Sequence, residues 1–329
     1  MKRREFNIQL GIGAAFALVG PLSLRAQHST APIIGWLNPL SRETIPHLIE
    51  GFNRGLGDAG FVDGHGVVNE YRWARGDYAR LQAFAAELIA RRAAVIFAVS
   101  PPAVAAAKAA TTSVPIVFLS GLDPVKSGFV SSLSIPGANV TGVSLITSSL
   151  GPKRFEILRE MVPAARKFAV LVNPSNSNTQ PQLTDLHDFA RVAQVQLSVL
   201  YGSDEREIAA AFASIAGQGP DALLIGADPV LTSRRQQIVT LAARHALPAI
   251  YDWSEYALAG GLISYGTSLT AAYRQAGAYV GRILKGARPG ELPIVQSSTF
   301  ELVINLKTAR ELGLTVPRIL LARANQVVE

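Results

Sequence analysis

Between Ala93 and Pro124 the sequence runs from one uninterrupted apolar stretch, Ala93 to Val99, through Ser100-Pro101 and an alanine-rich segment ending at Thr112, into a second apolar stretch, Pro115 to Leu119. Neither stretch alternates with polar residues, and both are rich in Val, Ile and Phe. A strand that is apolar on both faces must be covered on both, as parallel sheets flanked by helices are and half-solvated antiparallel sheets are not. The pattern predicts strand, helix, strand within a buried parallel sheet.

Five predicted strand ends are followed by a small polar residue and then proline: Asn38-Pro39, Ser100-Pro101, Asp123-Pro124, Asn173-Pro174 and Asp228-Pro229. The polar side chain accepts from free amides of a helix's first turn, and proline fits the first helical position because its N–H would be unpaired there anyway. Helix starts are thereby aimed at the carboxyl edge of the sheet, where open α/β folds bind ligands. Ordinary capping explains any one of these junctions. Their recurrence in both halves of the chain points to a ligand edge.

Read in order, the chain alternates strand and helix twice over. Ile33 to Leu37, Val67 to Trp73, the two central stretches and Asn139 to Val143 give five strands with crossover helices, a complete doubly wound lobe. Phe168 to Val172, Gln196 to Tyr201, Ala222 to Ile225 and Pro248 to Tyr251 begin a second. Leu262 to Tyr265 is one strand too many for that lobe, so the chain is expected to return there to the first, with a helix from Ala271 to Lys285. The tail, with Phe300 to Ile304, closes the second lobe. The predicted fold is α/β, two doubly wound parallel-sheet lobes joined by a hinge crossed several times, near residues 142–144 and 260–261. Residues 31–143 plus about 262–292 form the first lobe; residues 144–261 plus about 293–329 form the second.

Composition narrows the function. Hydrophobic residues make up 49% and charged residues 17% of the 329, enough apolar material for sizeable cores. The absence of cysteine removes thiolate chemistry, disulfides and Cys-based metal sites, and the five histidines stand apart without a ligand-like spacing, so neither metal nor cofactor is expected. The net charge of +7 invites a nucleic-acid reading, but residues 1–26 hold four basic residues against one acid, and without them the balance is +4, dispersed rather than clustered. No nucleic-acid partner is expected.

Residues 1–26 carry a basic start, an apolar stretch interrupted by Gly20-Pro21 and a small residue, Ala26, the layout of a cleavable export signal; Arg3-Arg4-Glu5-Phe6 resembles the paired-arginine type. The apolar run is short and broken for a membrane span. The chain is expected in the periplasm.

The candidate site consists of polar residues at strand ends. In the first lobe these are Asn38, Ser41, Ser100 with the Ala103 amide, Ser120, Asp123 and Ser144; in the second, Asn173, Ser175, Asn176, Asp228, Tyr251 and Asp252. Amides at a helix N-terminus, reinforced by a serine hydroxyl, suit a carboxylate. Asp123, Asp228 or Asp252 suits an ammonium in a charge-assisted bond, and the combination favours a zwitterion. Asp123 and Asp228 are equally consistent with simple caps. Trp36, Tyr251 and Trp253 sit where they can stack on a ring, though for Trp36 a core position fits as well. No nucleophile elbow, phosphate loop or dinucleotide fingerprint is present, so no catalytic residue is assigned.

Ile34-Gly35-Trp36-Leu37, Tyr71-Arg72-Trp73-Ala74, Asp123-Pro124-Val125, Asn139-Val140-Thr141-Gly142-Val143, Val170-Leu171-Val172-Asn173-Pro174, Gly260-Gly261-Leu262-Ile263-Ser264-Tyr265-Gly266 and the Phe300 to Asn305 tail together resemble the ABC-transporter substrate-binding proteins of the tryptophan/tyrosine-type group. The resemblance spans essentially the whole chain. It implies the type I periplasmic-binding-protein fold and a monomer that closes on a small solute, an amino acid or related small carboxylate with an aromatic group among the options, and delivers it to an ABC permease in the inner membrane. An exported sensing module for a signalling partner is the alternative. A sugar-responsive repressor of like architecture would need a DNA-binding unit ahead of Ile33, where the export signal stands.

Overall fold

The computed structural model describes residues 31–329; the expected export signal lies outside them. The strands are β1 (Ile33–Asn38), β2 (Val62–Asp63), β3 (Gly66–Trp73), β4 (Val95–Val99), β5 (Ile116–Ser120), β6 (Val140–Ser144), β7 (Lys167–Val172), β8 (Gln196–Tyr201), β9 (Ala222–Ile225), β10 (Ala249–Tyr251), β11 (Ile263–Thr267), β12 (Val295–Gln296), β13 (Phe300–Asn305) and β14 (Gln326–Val328). Between them run α1 (Pro46–Asp58), α2 (Leu81–Ala90), α3 (Pro101–Ala110), α4 (Gly151–Met161), α5 (Thr179–Val192), α6 (Glu205–Gln218), α7 (Pro229–Ser233), α8 (Arg235–Arg244), α9 (Ser254–Leu258), α10 (Leu269–Leu284), α11 (Leu306–Glu311) and α12 (Arg318–Arg323).

Two α/β lobes result, each on one sheet. The first sheet has the order β12-β6-β5-β4-β1-β3-β2, with every neighbouring pair parallel. Its central strands β4 and β5 are buried along their whole length, as their unbroken apolar sequences require. The second sheet has the order β14-β13-β11-β10-β9-β7-β8. It is parallel from β8 to β11, but β13 runs antiparallel to β11.

This placement corrects the expected lobe boundaries. The surplus strand, β11, stays in the second sheet between β10 and β13, and the chain returns to the first lobe only after it, through α10. Residues 293–329 are likewise divided, since β12 pairs with β6 at the edge of the first sheet while β13 and β14 belong to the second. A strand count cannot assign such segments because apolar content fixes burial and not partner. The chain thus crosses between sheets three times: after β6, after β11 and after β12. The crossings are bonded to one another, Ser297 N–H donating to the Ser144 carbonyl at 2.9 Å and Ser268 N–H to the Thr299 carbonyl at 3.1 Å.

The polar-proline junctions also divide. Ser100-Pro101 and Asp228-Pro229 open helices directly. Asn38-Pro39, Asp123-Pro124 and Asn173-Pro174 instead lead into turns, and the helices that follow the first and third begin at Pro46 and Thr179. An Asx side chain satisfies a turn two residues on as readily as a helix start, and here Asn38, Asp123 and Asn173 accept from the amides of Leu40, Val125 and Ser175.

Trp36 lies fully buried in the first lobe, edge-on to Phe52 at 4.5 Å and to Phe97 at 4.9 Å between ring centroids, with its indole N–H donating to Asn69 Oδ1 at 3.0 Å. It is core, not a platform for ligand. Against this cluster α1 and α10 approach so closely that a Cβ on Gly55 would strike the Arg274 carbonyl and one on Gly277 the Phe52 carbonyl. Gly57, on the exposed face of the same helix, meets nothing within 4 Å. Gly277→Ala should therefore cost about 1–3 kcal/mol in urea unfolding by overpacking, whereas Gly57→Ala should be neutral or stabilise by about 0.5–1 kcal/mol through helix propensity; equal effects at the two positions would refute this account of the helix pair.

Candidate functional site

A cavity of about 720 Å³, counting its open mouth, lies between the lobes at the carboxyl ends of their strands. Its first-lobe wall comes from Leu40 beyond β1, Val99 and Ser100 at the end of β4, Leu119 and Gly121 around the end of β5, the first turn of α1 and, from α10, Leu269 and Tyr273. The second lobe contributes Asn176 and Asn178 after β7, Ala227 and Asp228 after β9, and Trp253 and Glu255 after β10. Leu145 and Thr147 enter from the first crossing. The lining is mostly apolar with a few convergent polar groups, the usual make-up of a small-molecule site.

Asp228 organises the polar side. It is 3% exposed and caps α7, its Oδ1 accepting from Leu231 N–H at 2.9 Å. Asn176 Nδ2 donates to Oδ2 at 2.7 Å and Asn173 Nδ2 lies 3.2 Å from the same oxygen. The fourth donor, Tyr78 Oη at 2.8 Å, comes from the first lobe. Burial pushes the Asp228 carboxyl above its ordinary range, and the donors from Asn176, Leu231, Tyr78 and Asn173 pull it back. Burial also drives the Tyr78 phenol well above its usual value, helped by Asp228, so Tyr78 stands as a neutral O–H donor. A second bond across the cleft joins His47 Nε2 of α1 to Glu255 Oε1 of α9 at 3.0 Å.

Ser100 faces the cavity under strain. Its φ is +80° with ψ 155°, a conformation that L side chains rarely adopt and that costs on the order of 1–3 kcal/mol. Its N–H donates to the Leu119 carbonyl and its carbonyl accepts from Val104, which hold the backbone in place, while its Oγ is buried with no protein partner among the described residues. Pro101 and Pro102, which follow, have no N–H, so the donors at the start of α3 are the Ser100 hydroxyl and the Ala103 amide.

Of the residues predicted from sequence, Ser100, Asn176 and Asp228 line the cavity. Asn173 and Asn38 stand one layer behind, the first on Asp228 and the second on the Tyr273 hydroxyl at 3.4 Å. Ser41 lies in a charged groove at the cleft mouth with Arg75, Asp77, Asp204 and Arg234, and Ser175 lines a separate surface dent beside Tyr201. Ser120 is buried and closes its own turn on Leu122 N–H; Ser144 is buried beneath the first crossing; Ala103 is buried inside the first turn of α3. Asp123 is exposed, accepts from the Val125 and Lys126 amides of its own turn and does not line the cavity. Tyr251 stacks on Tyr256 at 4.6 Å within the second lobe and does not line the cavity. No local feature of the sequence marks Tyr78, Thr147 or the His47–Glu255 pair. Asn178 lies in the polar loop after β7, where its residue type does not set it apart from Asn173 and Asn176.

Asp252 lies behind the cavity wall, fully buried, with no hydrogen-bond partner outside its own residue among the described residues. Arg154, also buried, sits within electrostatic reach and donates through Nη2 to the Thr147 carbonyl at 3.2 Å. Burial holds the Asp252 carboxyl well above its normal value despite Arg154.

The family model for ABC transporter substrate binding proteins matches residues 34–328. The chain belongs to this family. A curated relative, the tyrosine-binding protein of Clostridioides difficile strain R20291, is 28% identical over 265 residues, covering 80% of this chain and 76% of the relative. A conserved domain protein from Vibrio cholerae is 25% identical with a TM-score of 0.84, covering 90% of this chain and 99% of that one. The ABC domain from Streptococcus pneumoniae in complex with L-Trp is 25% identical with a TM-score of 0.81, over 91% and 100% of the two chains. A ligand-free, open substrate binding protein from Clostridium difficile, also 25% identical over 90% and 99%, superposes less well, with a TM-score of 0.64. In this chain two hydrogen bonds join the lobes across the cleft, Tyr78 to Asp228 and His47 to Glu255. Family members are binding proteins and not enzymes.

The buried Asp252 generates a pH effect with a fixed sign. The folded chain keeps a proton there that an unfolded chain releases near pH 4, so stability falls as pH rises above that value, by at most about 1.4 kcal/mol per pH unit. Asp252→Asn has no such proton; its stability relative to the unsubstituted protein, measured by urea unfolding, should rise as pH increases above about 4. Parallel pH profiles for the two proteins would disprove the assignment.

Proposed function

We propose that the chain is the periplasmic substrate-binding component of an ABC importer, exported by means of residues 1–26, and that it closes as a monomer on an aromatic amino acid and presents it to a permease in the inner membrane. The observation that carries this reading is the composition of the cavity. Leu40, Ile45, Leu48, Leu119, Trp253 and Tyr273 offer an apolar bed of the kind a ring fills, while a polar side made by both lobes meets a charged head group. Ser100 Oγ, unpartnered at the start of a ten-residue helix, suits the carboxylate, whose charge the helix dipole also favours. The likeness to a tyrosine-binding protein and to a domain holding L-Trp supports the same class of ligand.

Closure follows from where the contacts are. Ser100 belongs to the first lobe and the Asp228 cluster to the second, so a ligand touching both is held fully only when the lobes meet. The Tyr78–Asp228 and His47–Glu255 bonds form in that same arrangement.

Thermal-shift measurements with L-tryptophan, L-tyrosine, L-phenylalanine and small carboxylates test the reading. A ligand at a hundredfold excess over its Kd adds about 2.7 kcal/mol to the native state, a shift of several degrees. Aromatic amino acids should give that shift and aliphatic acids should not; no shift from any of the three overturns the proposal. Ser100→Ala should raise the Kd of the responding amino acid about 10- to 100-fold, the loss of one hydrogen bond to a charged group, with the ligand-free melting temperature unchanged.

A further inference from the structure

Two polar side-chain atoms that line the cavity are buried without a protein partner among the described residues, Ser100 Oγ on the first lobe and Asn178 Oδ1 on the second. Asn178 is 2% exposed. Its orientation is fixed by neighbours that leave no choice of flip. Nδ2 donates to the Ala227 carbonyl at 3.3 Å, and reversing the amide would set oxygen against oxygen. The Ala227 peptide is itself clamped by Gln182, whose Nε2 donates to the Ala227 carbonyl at 3.2 Å and whose Oε1 accepts from Ala227 N–H at 2.7 Å. Gln182 Nε2 also donates to the Asn178 carbonyl at 3.1 Å. The atom left without a partner on this cavity-lining residue is a pure acceptor. Buried acceptors in native proteins are matched by donors, and here no protein group supplies one.

Asp228, the residue whose charge first suggests an ammonium partner, is already saturated. Leu231 N–H, Asn173 Nδ2, Asn176 Nδ2 and Tyr78 Oη supply four donors, about as many as a carboxylate accepts. Its negative charge still reaches the cavity indirectly. Asn176 donates to Asp228 through Nδ2 and accepts from Asn178 N–H through Oδ1 at 2.9 Å, so the acceptor on Asn178 lies in the field of a buried carboxylate.

We infer that Asn178 Oδ1 is the ligand's ammonium contact and that Asp228 is a positioning residue behind it, so that Asn178 is what makes the site select an amino acid over the same molecule without its amino group. The inference rests on the aromatic amino-acid reading and adds the residue that enforces it. The bond is charge-assisted on the ligand's side only, and the amide keeps no net charge in the cavity when the lobes open.

The test uses isothermal titration of the full chain with L-tryptophan and L-tyrosine and with their amino-free counterparts, indole-3-propionate and 3-(4-hydroxyphenyl)propionate. The unsubstituted protein should prefer the amino acid by about 10- to 100-fold, the discrimination expected when one buried hydrogen bond to a charged group is lost. Asn178→Ala should shrink that preference to about threefold or less, with the loss appearing in the Kd of the amino acid and not in that of the counterpart. A merely structural role would weaken both ligands together. If the unsubstituted protein binds both members of a pair equally, or if Asn178→Ala keeps its preference, the ammonium assignment is overturned while the amino-acid reading stands. If the unsubstituted protein binds neither tryptophan nor tyrosine, that reading falls and the assignment falls with it.

Discussion

A carboxylate taken out of water is costly unless donors replace the water it loses, and the whole cavity is arranged around meeting that demand at Asp228. Two asparagines on the loop after β7 and an amide in the first turn of α7 do part of it. That fixes the loop after β7 against the end of β9 and holds the second-lobe wall of the cavity in shape. The remaining donor is a phenol from the other lobe. The charge therefore has its full complement only in the closed arrangement. Solvent must supply the missing bond when the lobes part, so the energetic difference between the two arrangements is small enough for a ligand to tip.

The architecture was legible wherever burial alone decided it. Ala93 to Val99 and Pro115 to Leu119 could be nothing but interior strands, and they became β4 and β5 at the centre of the first sheet. Pairing was a different matter. Leu262 to Tyr265 is as apolar as any interior strand, yet its sequence is silent on which sheet receives it; β13, far along the chain and antiparallel to β11, makes room by extending the second sheet. Likewise a polar residue before proline announces a break in the strand, and whether a helix or a turn follows depends on packing further along.

The site was legible in outline and not in detail. Ser100, Asn176 and Asp228 reach the cavity because each follows directly on a strand end or its loop, at the carboxyl edge of the sheet. Tyr251 and Asp252 obeyed the same rule and were turned inward, one onto Tyr256 and the other toward Arg154, since a strand end has two sides and only one borders the cleft. Tyr78 meets its partner 150 positions away and His47 meets Glu255 at a separation of 208, distances over which composition and periodicity say nothing. Asn173 and Asn176 have both ends of their amides engaged by neighbours, whereas Asn178 has only its Nδ2 held, by Ala227, a fact of geometry alone.

The chain passes between the sheets at three places, and two lateral bonds tie all three together, Ser268 to Thr299 and Ser297 to Ser144. Three short ribbons side by side, cross-braced, resist sliding and twisting far better than they resist flexing. The lobes are thus left with one easy movement, a rotation about the line on which the ribbons lie. A wobbling tether would let a half-held solute drift between many poses; this joint allows a graded approach along a single arc, and the only question a bound molecule can answer is how far along that arc the jaws have travelled.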